Sequence, residues 1–328
     1  MAMDTVPKIT PVAQFETRPF WSVMIPTYNC AEYLAQTLQS VLIQDLGPDL
    51  MQIEVVDDCS DKDDPEAVVK AVGRGRVAFH RKPKNGGAIA NFNTCIERSR
   101  GRYIHILHGD DTVMNGYYEC IWDLIKQYPD AGLYATRCFV IDAKSVLMWI
   151  SPRTEELEAP SKSATPMYYE SPVQCAGITV ARSSYEKLGG FRTDLVHAAD
   201  LEMWARLVSS DAGVLSSDVK ANYRISPEND TGRLARTGEN IRDICRLHDI
   251  FASRYPDFSM AIARQKAAGR ALKQYEQFSA LGDMTAARIN RELWSELTPC
   301  RKRAITHIKE SIFYRRIALN VARNPKSQ

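Results

Sequence analysis

The stretch WSVMIPTYNCAEYLAQTLQSVL, residues 21–42, contains the signals of a strand, a loop and a helix in direct succession. Its first five residues are a short apolar run that ends at Pro26, which is typical of a buried strand. Asn29 stands three positions before a glutamate, as in a capping box, so we expect Asn29 to cap the helix. Apolar residues then recur at helical spacing over 34–42. The stretch therefore predicts the first part of a βαβ unit.

The same alternation continues along the chain from this stretch. Strand patterns occupy residues 51–57, 77–80 and 103–107, and helical patterns lie between them at 64–72 and 88–99. Strands that alternate with helices predict an α/β fold with a mostly parallel, Rossmann-like sheet. Ligands of such sheets bind beyond the carboxyl ends of the strands. These ends carry three polar segments, Pro26–Asn29, Asp57–Ser60 and Gly109–Asp111.

The pattern changes at about residue 130, where strand patterns follow one another without clear helices between them. From about residue 234 the sequence is helical, with few Gly or Pro and many Ala, Arg, Leu and Glu residues. We therefore divide the chain into a leader at 1–19, an α/β domain at 20–232 whose two halves meet near 129–130, and a helical C-terminal region at 233–328.

The composition argues against several classes of protein. The chain of 328 residues has 42 Lys and Arg against 40 Asp and Glu, so its net charge of +2 does not indicate a nucleic-acid partner. The eight cysteines lack the spacing of a disulfide framework or a zinc site, which favours reduced thiols in a cytosolic protein. The amino terminus does not resemble a signal peptide, and no segment approaches the ~18 apolar residues of a membrane span. We therefore expect a cytoplasmic location.

Acidic pairs follow two of the predicted parallel strands. Asp57-Asp58 and Asp110-Asp111 would converge at one edge of the sheet, where a cation would relieve the repulsion between their charges. A hard divalent ion, Mn²⁺ or Mg²⁺, held by such carboxylates can neutralise a diphosphate leaving group. The alternative for each pair is a turn that caps the next helix.

Four motifs follow in a characteristic order at βαβ spacing. They are VMIPTYNCAEYLAQTLQSVLIQ at 23–44, IEVVDDCSD at 53–61, NGG at 85–87 and GRYIHILHGDD at 101–111. Together they resemble the family 2 inverting glycosyltransferases, of the bacterial, non-processive type. The resemblance covers roughly residues 20–225 and implies the GT-A nucleotide-diphospho-sugar transferase fold, with a nucleotide half up to about 129 and an acceptor half from about 130.

The resemblance also implies a site for a nucleotide-sugar donor, most simply a UDP-sugar. Pro26 and Tyr28 would line the base pocket, with Tyr28 stacking on the base, and Asp58 would accept a hydrogen bond from the base edge. The backbone amides of the turn at Asn85 and Gly86 could meet phosphate at a helix N-terminus, or the turn could be a plain connection. Asp110 and Asp111 would share the contacts with the ribose and the metal.

Two positions depart from the family pattern on the donor side. The metal motif is usually Asp-x-Asp, but His108 stands in place of the first acid. We favour a spacer role for His108, with its ring packed on the strand, over a role as metal ligand. Ser226 occupies a place where relatives often have a histidine, and a hydroxyl is a poor substitute for an imidazole ligand.

The segment His197–Trp204 resembles the acceptor-side motif of the family. Asp200 matches the general base, which takes the proton of the acceptor hydroxyl as its oxygen attacks the anomeric carbon. Ala199 replaces the acid that usually precedes this base. We expect Trp204 to fill the core rather than to stack on a sugar, and Glu202 to be solvated.

The sequence gives less support to other functions. The chain lacks the Gly-x-Gly-x-x-Gly of a dinucleotide-binding enzyme, the P-loop motif, the Gly-rich loop of a nucleotidyltransferase and the Gln-x-x-Arg-Trp motif of a processive polymerase. The altered motifs at His108 and Ala199 leave one non-enzymatic alternative, a catalytically inactive relative that binds a glycan or a protein partner.

The C-terminal segment 299–328 is strongly basic. Eight Lys and Arg residues face one acid, and the resulting charge of +7 lies beside isoleucines and a leucine at helical spacing. Such a segment can lie on an anionic membrane, which would suit a lipid-linked acceptor, whereas a soluble glycan acceptor would not require it. The alternative is that the apolar stripe packs on the helices at 237–296.

Overall fold

The computed structural model describes residues 5–13, 17–226 and 229–298. The chain forms two compact units, which are divided between Gly232 and Arg233. The basic segment 299–328 and the membrane contact expected of it lie outside the described residues.

One sheet of nine strands organises the described part of the first unit. In chain order the strands are β1 (Trp21–Thr27), β2 (Met51–Asp57), β3 (Ala78–Arg81), β4 (Tyr103–Ile106), β5 (Thr112–Val113), β6 (Leu133–Ile141), β7 (Leu147–Ile150), β8 (Ile178–Ala181) and β9 (Gly213–Arg224). Their order in the sheet is β3-β2-β1-β4-β8-β6-β9-β5, and β7 pairs with β6. The first four strands of this order are parallel, and the remainder is mixed, with β6 and β9 parallel. The predicted α/β fold is confirmed.

Helices cover the sheet and form the second unit. In chain order they are α1 (Ala31–Leu42), α2 (Pro65–Gly73), α3 (Ala88–Arg98), α4 (Tyr117–Gln127), α5 (Arg182–Leu188), α6 (Ala199–Asp211), α7 (Asp230–Thr237), α8 (Glu239–Arg254), α9 (Met260–Ala280) and α10 (Met284–Leu297). Three short 3-10 turns lie between β7 and β8. α4 has no counterpart among the predicted elements.

Asn29 does not cap α1, so this expectation is wrong. Its backbone is left-handed, with φ of 49°, and its side-chain oxygen accepts hydrogen bonds of 3.0 Å from the amides of Asp61 and Lys62. The helix begins two residues later at Ala31, whose amide donates to Asp63 over 2.7 Å. Asn29 therefore holds the loop after β2 beside the loop after β1, which a local pattern could not reveal.

The described part of the predicted leader packs on the first unit. Ile9 is buried, and the carbonyl oxygen of Pro7 accepts a hydrogen bond of 2.8 Å from the amide of Gly190. The carbonyl of Thr10 accepts a hydrogen bond of 3.0 Å from the buried guanidinium of Arg182. Residues 5–13 thus contribute contacts to the unit rather than standing apart from it.

The second unit has its own apolar core, formed by its helices. Ile241 of α8, Ala268 and Ala271 of α9, and Leu293 and Trp294 of α10 are buried together. Across the described ranges we find no helix that combines the length and the hydropathy of a membrane span.

Candidate active site

The register of the central strands brings three loops to one edge of the sheet, as predicted. Thr27 at the end of β1 pairs with Asp57 at the end of β2, and Met24 of β1 pairs with Ile106 at the end of β4. The amide of Asp58 donates to the carbonyl of Thr27 over 2.9 Å, and the amide of Gly109 donates to that of Pro26 over 3.1 Å. The polar segments that follow β1, β2 and β4 are therefore neighbours.

His108, Asp110 and Asp111 form a cluster after β4. One ligand atom from each lies within 4.8 Å of those of the other two, and Nδ1 of His108 is 3.7 Å from Oδ2 of Asp111. Asp111 is fully buried, whereas His108 and Asp110 are half-buried. The group combines hard oxygen ligands with an imidazole, which suits a divalent transition metal ion.

Asp111 has an unsatisfied carboxylate oxygen that fits a cation. Its Oδ1 accepts a hydrogen bond of 2.7 Å from the backbone amide of Arg224, but its buried Oδ2 has no hydrogen-bond partner. Burial, together with the charge of Asp110, raises the pKa of Asp111 well above its ordinary value. An ion at this position would provide the missing partner and favour the charged form.

His108 is both packed and directed at the acids. Its ring is packed, as expected of a spacer, but on Phe92 of α3, with centroids 4.9 Å apart. Its Nδ1 also lies 3.7 Å from Oδ2 of Asp111, and its buried Nε2 has no hydrogen-bond partner, so the ring is placed where it could serve as a metal ligand as well. Burial lowers the pKa of His108 against the opposing effect of Asp110, and the neutral imidazole is the form that binds metals.

Helix α1 holds the acidic loop in place. The buried hydroxyl of Thr37 donates to the carbonyl oxygens of Asp111 and Gly109, at distances of 2.7 and 2.9 Å. Glycine suits position 109, because a Cβ there would lie 2.8 Å from the sulfur of Cys30 and 3.3 Å from Cβ of Thr27, so these side chains would have to shift. The close approach of this loop to β1 and α1 thus depends on a residue without a side chain.

The residues expected at the base pocket lie beside this cluster. Pro26 is buried in β1, and Tyr28 is 44% exposed with its hydroxyl 3.3 Å from Oδ1 of Asp61. Tyr28 therefore has a ring available to a planar ligand.

Asp58 organises the loop after β3 from a buried position. Its carboxylate accepts hydrogen bonds from Nζ of Lys82 over 2.5 Å and from the amides of Gly86 and Gly87 over 3.0 and 2.8 Å. The side-chain oxygen of Asn85 also accepts from the amide of Gly87. The amides of Gly86 and Gly87 are therefore already used in this conformation, so a phosphate that binds the amide of Gly86 would have to replace Asp58 as its acceptor.

Lys82 was missed as a partner of Asp58, although the sequence contained a signal. Asp57 pairs in register with Arg81, and the two side chains form an ion pair of 2.7 Å. Asp57-Asp58 end one predicted strand, and Arg81-Lys82 follow the next. Because the two strands are parallel neighbours, the acids and the bases lie side by side and can form ion pairs.

Asp200 lies in the first turn of α6. Its Oδ1 accepts a hydrogen bond of 2.7 Å from the amide of Leu201. The thiol of Cys175 has a pKa raised well above its usual value, chiefly by burial and then by the charges of Asp200 and Asp111. Because both carboxylates act on one buried group, the predicted base and the predicted metal ligand lie in the same region of the first unit.

Glu202 anchors the helix that carries Asp200, and the expectation that it is solvated is wrong. It is 1% exposed and pairs with the buried guanidinium of Arg206 over 3.0 Å. Arg206 in turn donates to the carbonyls of Leu188 and Gly190 over 2.6 and 2.8 Å. Trp204 is buried against Phe191, as expected for a core residue.

We expect Glu202→Ala to lower the free energy of unfolding by ~3 kcal/mol or more, because it leaves the buried Arg206 cation without its counter-charge. Urea unfolding followed by tryptophan fluorescence measures this change. Glu66→Ala is the matched control, since Glu66 forms an exposed pair with Lys70 and its loss should change stability by less than ~1 kcal/mol. Equal effects of the two substitutions would contradict the anchoring role.

Ser226 forms a hydrogen bond with a residue close to it in the chain. Its Oγ accepts a hydrogen bond of 3.2 Å from the amide of Asn229, and the residue is buried. Among the His, Cys, Asp and Glu residues that the structure describes, His108, Asp110 and Asp111 form the candidate metal-binding group.

Comparison with known proteins agrees with this architecture. A family model described as glycosyl transferase family 2 matches residues 22–189. The uncharacterized protein MT1568 of Mycobacterium tuberculosis is 27% identical over 245 residues, which cover 70% of this chain and 75% of that protein. The minor teichoic acid biosynthesis protein GgaB of Bacillus subtilis is 29% identical over 111 residues, which cover 33% of this chain but 12% of GgaB.

Two solved structures share the fold. S. aureus TarS 1–349, in complex with UDP-GlcNAc, has a TM-score of 0.56 at 17% identity, covering 79% of this chain and 72% of that chain. The mannosyltransferase PcManGT of Pyrobaculum calidifontis, in complex with GDP-Man and Mn²⁺, has a TM-score of 0.55 at 16% identity, covering 93% of this chain and 82% of that chain. The expected GT-A fold is confirmed, with a C-terminal helical region.

Proposed function

Because the chain belongs to glycosyl transferase family 2, we propose that it transfers a sugar from a nucleotide-diphosphate donor to an acceptor hydroxyl with inversion of configuration. The observation that carries the proposal is the buried, unsatisfied Oδ2 of Asp111 beside His108 and Asp110, at the edge of the sheet where Tyr28 is exposed. Metal-ligand chemistry and an open aromatic ring are the two features that a nucleotide diphosphate requires.

Tyr28 and Pro26 would bind the base of the donor. The exposed ring of Tyr28 offers a face for stacking. Asp58, whose carboxylate also binds Lys82 and the amide of Gly87, would accept a hydrogen bond from the base edge. We place a UDP-sugar first among donors, because TarS, which shares the fold, was solved with UDP-GlcNAc. GDP-sugars remain the second class to test, since PcManGT was solved with GDP-Man.

His108, Asp110 and Asp111 would hold a divalent cation, Mn²⁺ or Mg²⁺. Such a cation, when bound, supplies positive charge that stabilises the leaving diphosphate. The protein's own contribution is to present the buried Oδ2 of Asp111 and a neutral His108 to the ion, and to hold the loop through Thr37. The ion, when bound, would favour the charged form of Asp111 against the effect of burial. Asp110, the more exposed of the two acids, is also available to a ribose hydroxyl.

Asp200 would act as the general base. It takes the proton of the acceptor hydroxyl while the acceptor oxygen attacks the anomeric carbon from the face opposite the leaving diphosphate. The Glu202–Arg206 pair fixes the start of α6, so the carboxylate is held on a rigid element rather than on a loop. The acceptor would be a glycan or a lipid-linked glycan, in line with the polymer biosynthesis named for GgaB.

The second candidate function is a catalytically inactive glycan-binding or partner-binding relative. It is favoured by His108 in place of the usual first acid and by Ala199 before Asp200. Turnover of a donor separates the two functions, because an inactive relative can bind a nucleotide sugar without consuming it.

A screen of UDP-, GDP- and dTDP-sugars tests the proposal. We expect one nucleotide class to raise the melting temperature in the presence of Mn²⁺ and not in EDTA, since a ligand at 100 times its Kd stabilises the fold by about 2.7 kcal/mol. Slow hydrolysis of the same donor should be metal-dependent. Binding without any hydrolysis or transfer would favour the inactive relative, and the absence of binding by every donor would contradict the proposed function.

A further inference from the structure

Arg224, at the end of β9, is a buried cation that forms no ion pair within 4.0 Å of a carboxylate among the described residues, although its charge acts on the nearby carboxylates of Asp110 and Asp111. It is 1% exposed, and its hydrogen-bond acceptors among the described residues are all uncharged. Burying a charge is unfavourable unless it is well satisfied, so a guanidinium in this position is expected to have a specific task.

The guanidinium joins three elements around the acidic loop. Its Nε donates to the carbonyl oxygen of Asp110 over 2.8 Å. Its Nη1 donates to the turn between β6 and β7, at the carbonyls of Asp142 and Ala143 and the hydroxyl of Ser145, over 3.1, 3.3 and 3.0 Å.

Helix α1 supplies the third side. Nη2 donates to the side-chain oxygen of Gln36 over 3.1 Å, and the guanidinium carbon lies 4.5 Å from the centroid of the Tyr33 ring. The planar fork of arginine can satisfy acceptors in several directions at once, which a lysine ammonium on its flexible stem cannot do in the same geometry.

We propose that Arg224 is a positioning residue that holds the Asp110–Asp111 loop in its metal-binding geometry and couples it to the β6–β7 turn. The inference rests on the proposed function only for its metal. The backbone amide of Arg224 donates to Oδ1 of Asp111, and its side chain donates to the carbonyl oxygen of Asp110. One residue therefore positions both acids. Because the guanidinium of Arg224 contacts both segments, a contact that fixes the turn at 142–145 also restrains the Asp110–Asp111 loop.

The test compares Arg224→Lys with Arg182→Lys. Arg182 is an equally buried arginine of the first unit, and it bonds to carbonyls near the opposite end of β4. Mn²⁺ alone is titrated by electron paramagnetic resonance, with hydrogen exchange of the segment 107–113 measured in metal-free protein. We expect Arg224→Lys to raise the Kd for Mn²⁺ by ~10- to 100-fold, the usual effect of losing a residue that orients metal ligands, and to speed exchange in 107–113. Arg182→Lys should lower the melting temperature without either effect.

Ser145→Gly provides a milder variant in case Arg224→Lys does not fold. Ser145 has a left-handed backbone, with φ of 64°, so glycine suits its conformation while removing the hydroxyl that accepts from Nη1. A smaller rise in the Kd and faster exchange in 107–113 are expected.

The inference is overturned if folded Arg224→Lys and Ser145→Gly keep the wild-type Kd and exchange rates, or if Arg182→Lys weakens Mn²⁺ binding as much. Failure of the wild type to bind Mn²⁺ would count against the metal in the proposed function. The exchange comparison would still decide whether Arg224 holds the loop, so the two failures are distinguishable.

Discussion

Replacement of Asp111 by asparagine is expected to lower metal-dependent turnover by at least ~10²-fold, equivalent to about 2.7 kcal/mol of transition-state stabilisation. The substitution keeps the size of the side chain and the acceptor for the amide of Arg224, but it removes the negative charge of Asp111, whose buried Oδ2 has no hydrogen-bond partner. Asp110→Asn should have a similar effect, because the second ligand of the cluster is then neutral.

The stability of the Asp111 variant helps to identify its role. Burial makes the charged form of Asp111 unfavourable in the metal-free protein, as its raised pKa indicates, so Asp111→Asn should leave the melting temperature close to that of the wild type. Turnover is measured at saturating Mn²⁺ and Mg²⁺. Asp123→Asn, at an exposed acid of α4 paired with Lys126, should keep wild-type rates. Near wild-type rates in both cluster variants would refute the metal assignment.

Replacement of Asp200 by asparagine is expected to remove transfer while leaving donor binding nearly intact. The general base acts on the acceptor hydroxyl, and general base catalysis contributes ~10²- to 10⁴-fold to the rate. Asparagine has nearly the same shape and keeps an oxygen for the amide of Leu201, so the first turn of α6 should persist.

Donor affinity and transfer must be measured separately for this variant. Titration with the donor in the presence of metal gives the Kd, and single-turnover transfer gives the rate of the chemical step. An equal loss of donor affinity and rate would make Asp200 a donor-site or structural residue. The Glu202→Ala variant is informative beside it, because damage to the Glu202–Arg206 anchor should lower stability, which Asp200→Asn should not do.

Much of the fold could be predicted from the sequence because its signals are local. The predicted strand at 51–57 matches β2 residue for residue, and the predicted strands and helices around it reappear with ends shifted by one or two residues. Alternation of apolar runs with amphipathic stretches depends only on the pleat and the helical repeat, which operate over a few residues. The meeting of the loops after β1, β2 and β4 then follows from parallel pairing.

The sequence was less informative about residues whose side chains interact beyond their local pattern. Asn29 has the local pattern of a cap, yet its side chain holds the loop at 61–62. Glu202 has the type of a solvated residue, yet its partner Arg206 draws it into the interior. Asp58 is expected to accept a hydrogen bond from a base, and the structure adds that its carboxylate also accepts from Lys82 and the amides of Gly86 and Gly87.

The sequence by itself determined the α/β architecture, the edge of the sheet that carries the site, and the acids Asp110, Asp111 and Asp200 as its candidate groups. Only the tertiary structure decided that His108 faces Asp111, that one oxygen of Asp111 lacks a partner, and that Arg224 joins the acidic loop to α1 and the β6–β7 turn. The physical reason is the separation along the chain between the residues that interact. Strand and helix patterns arise from neighbours a few residues apart, whereas the contacts of Arg224 with Asp110 and Gln36 join residues 114 and 188 positions apart, which only the folded chain brings within hydrogen-bond distance.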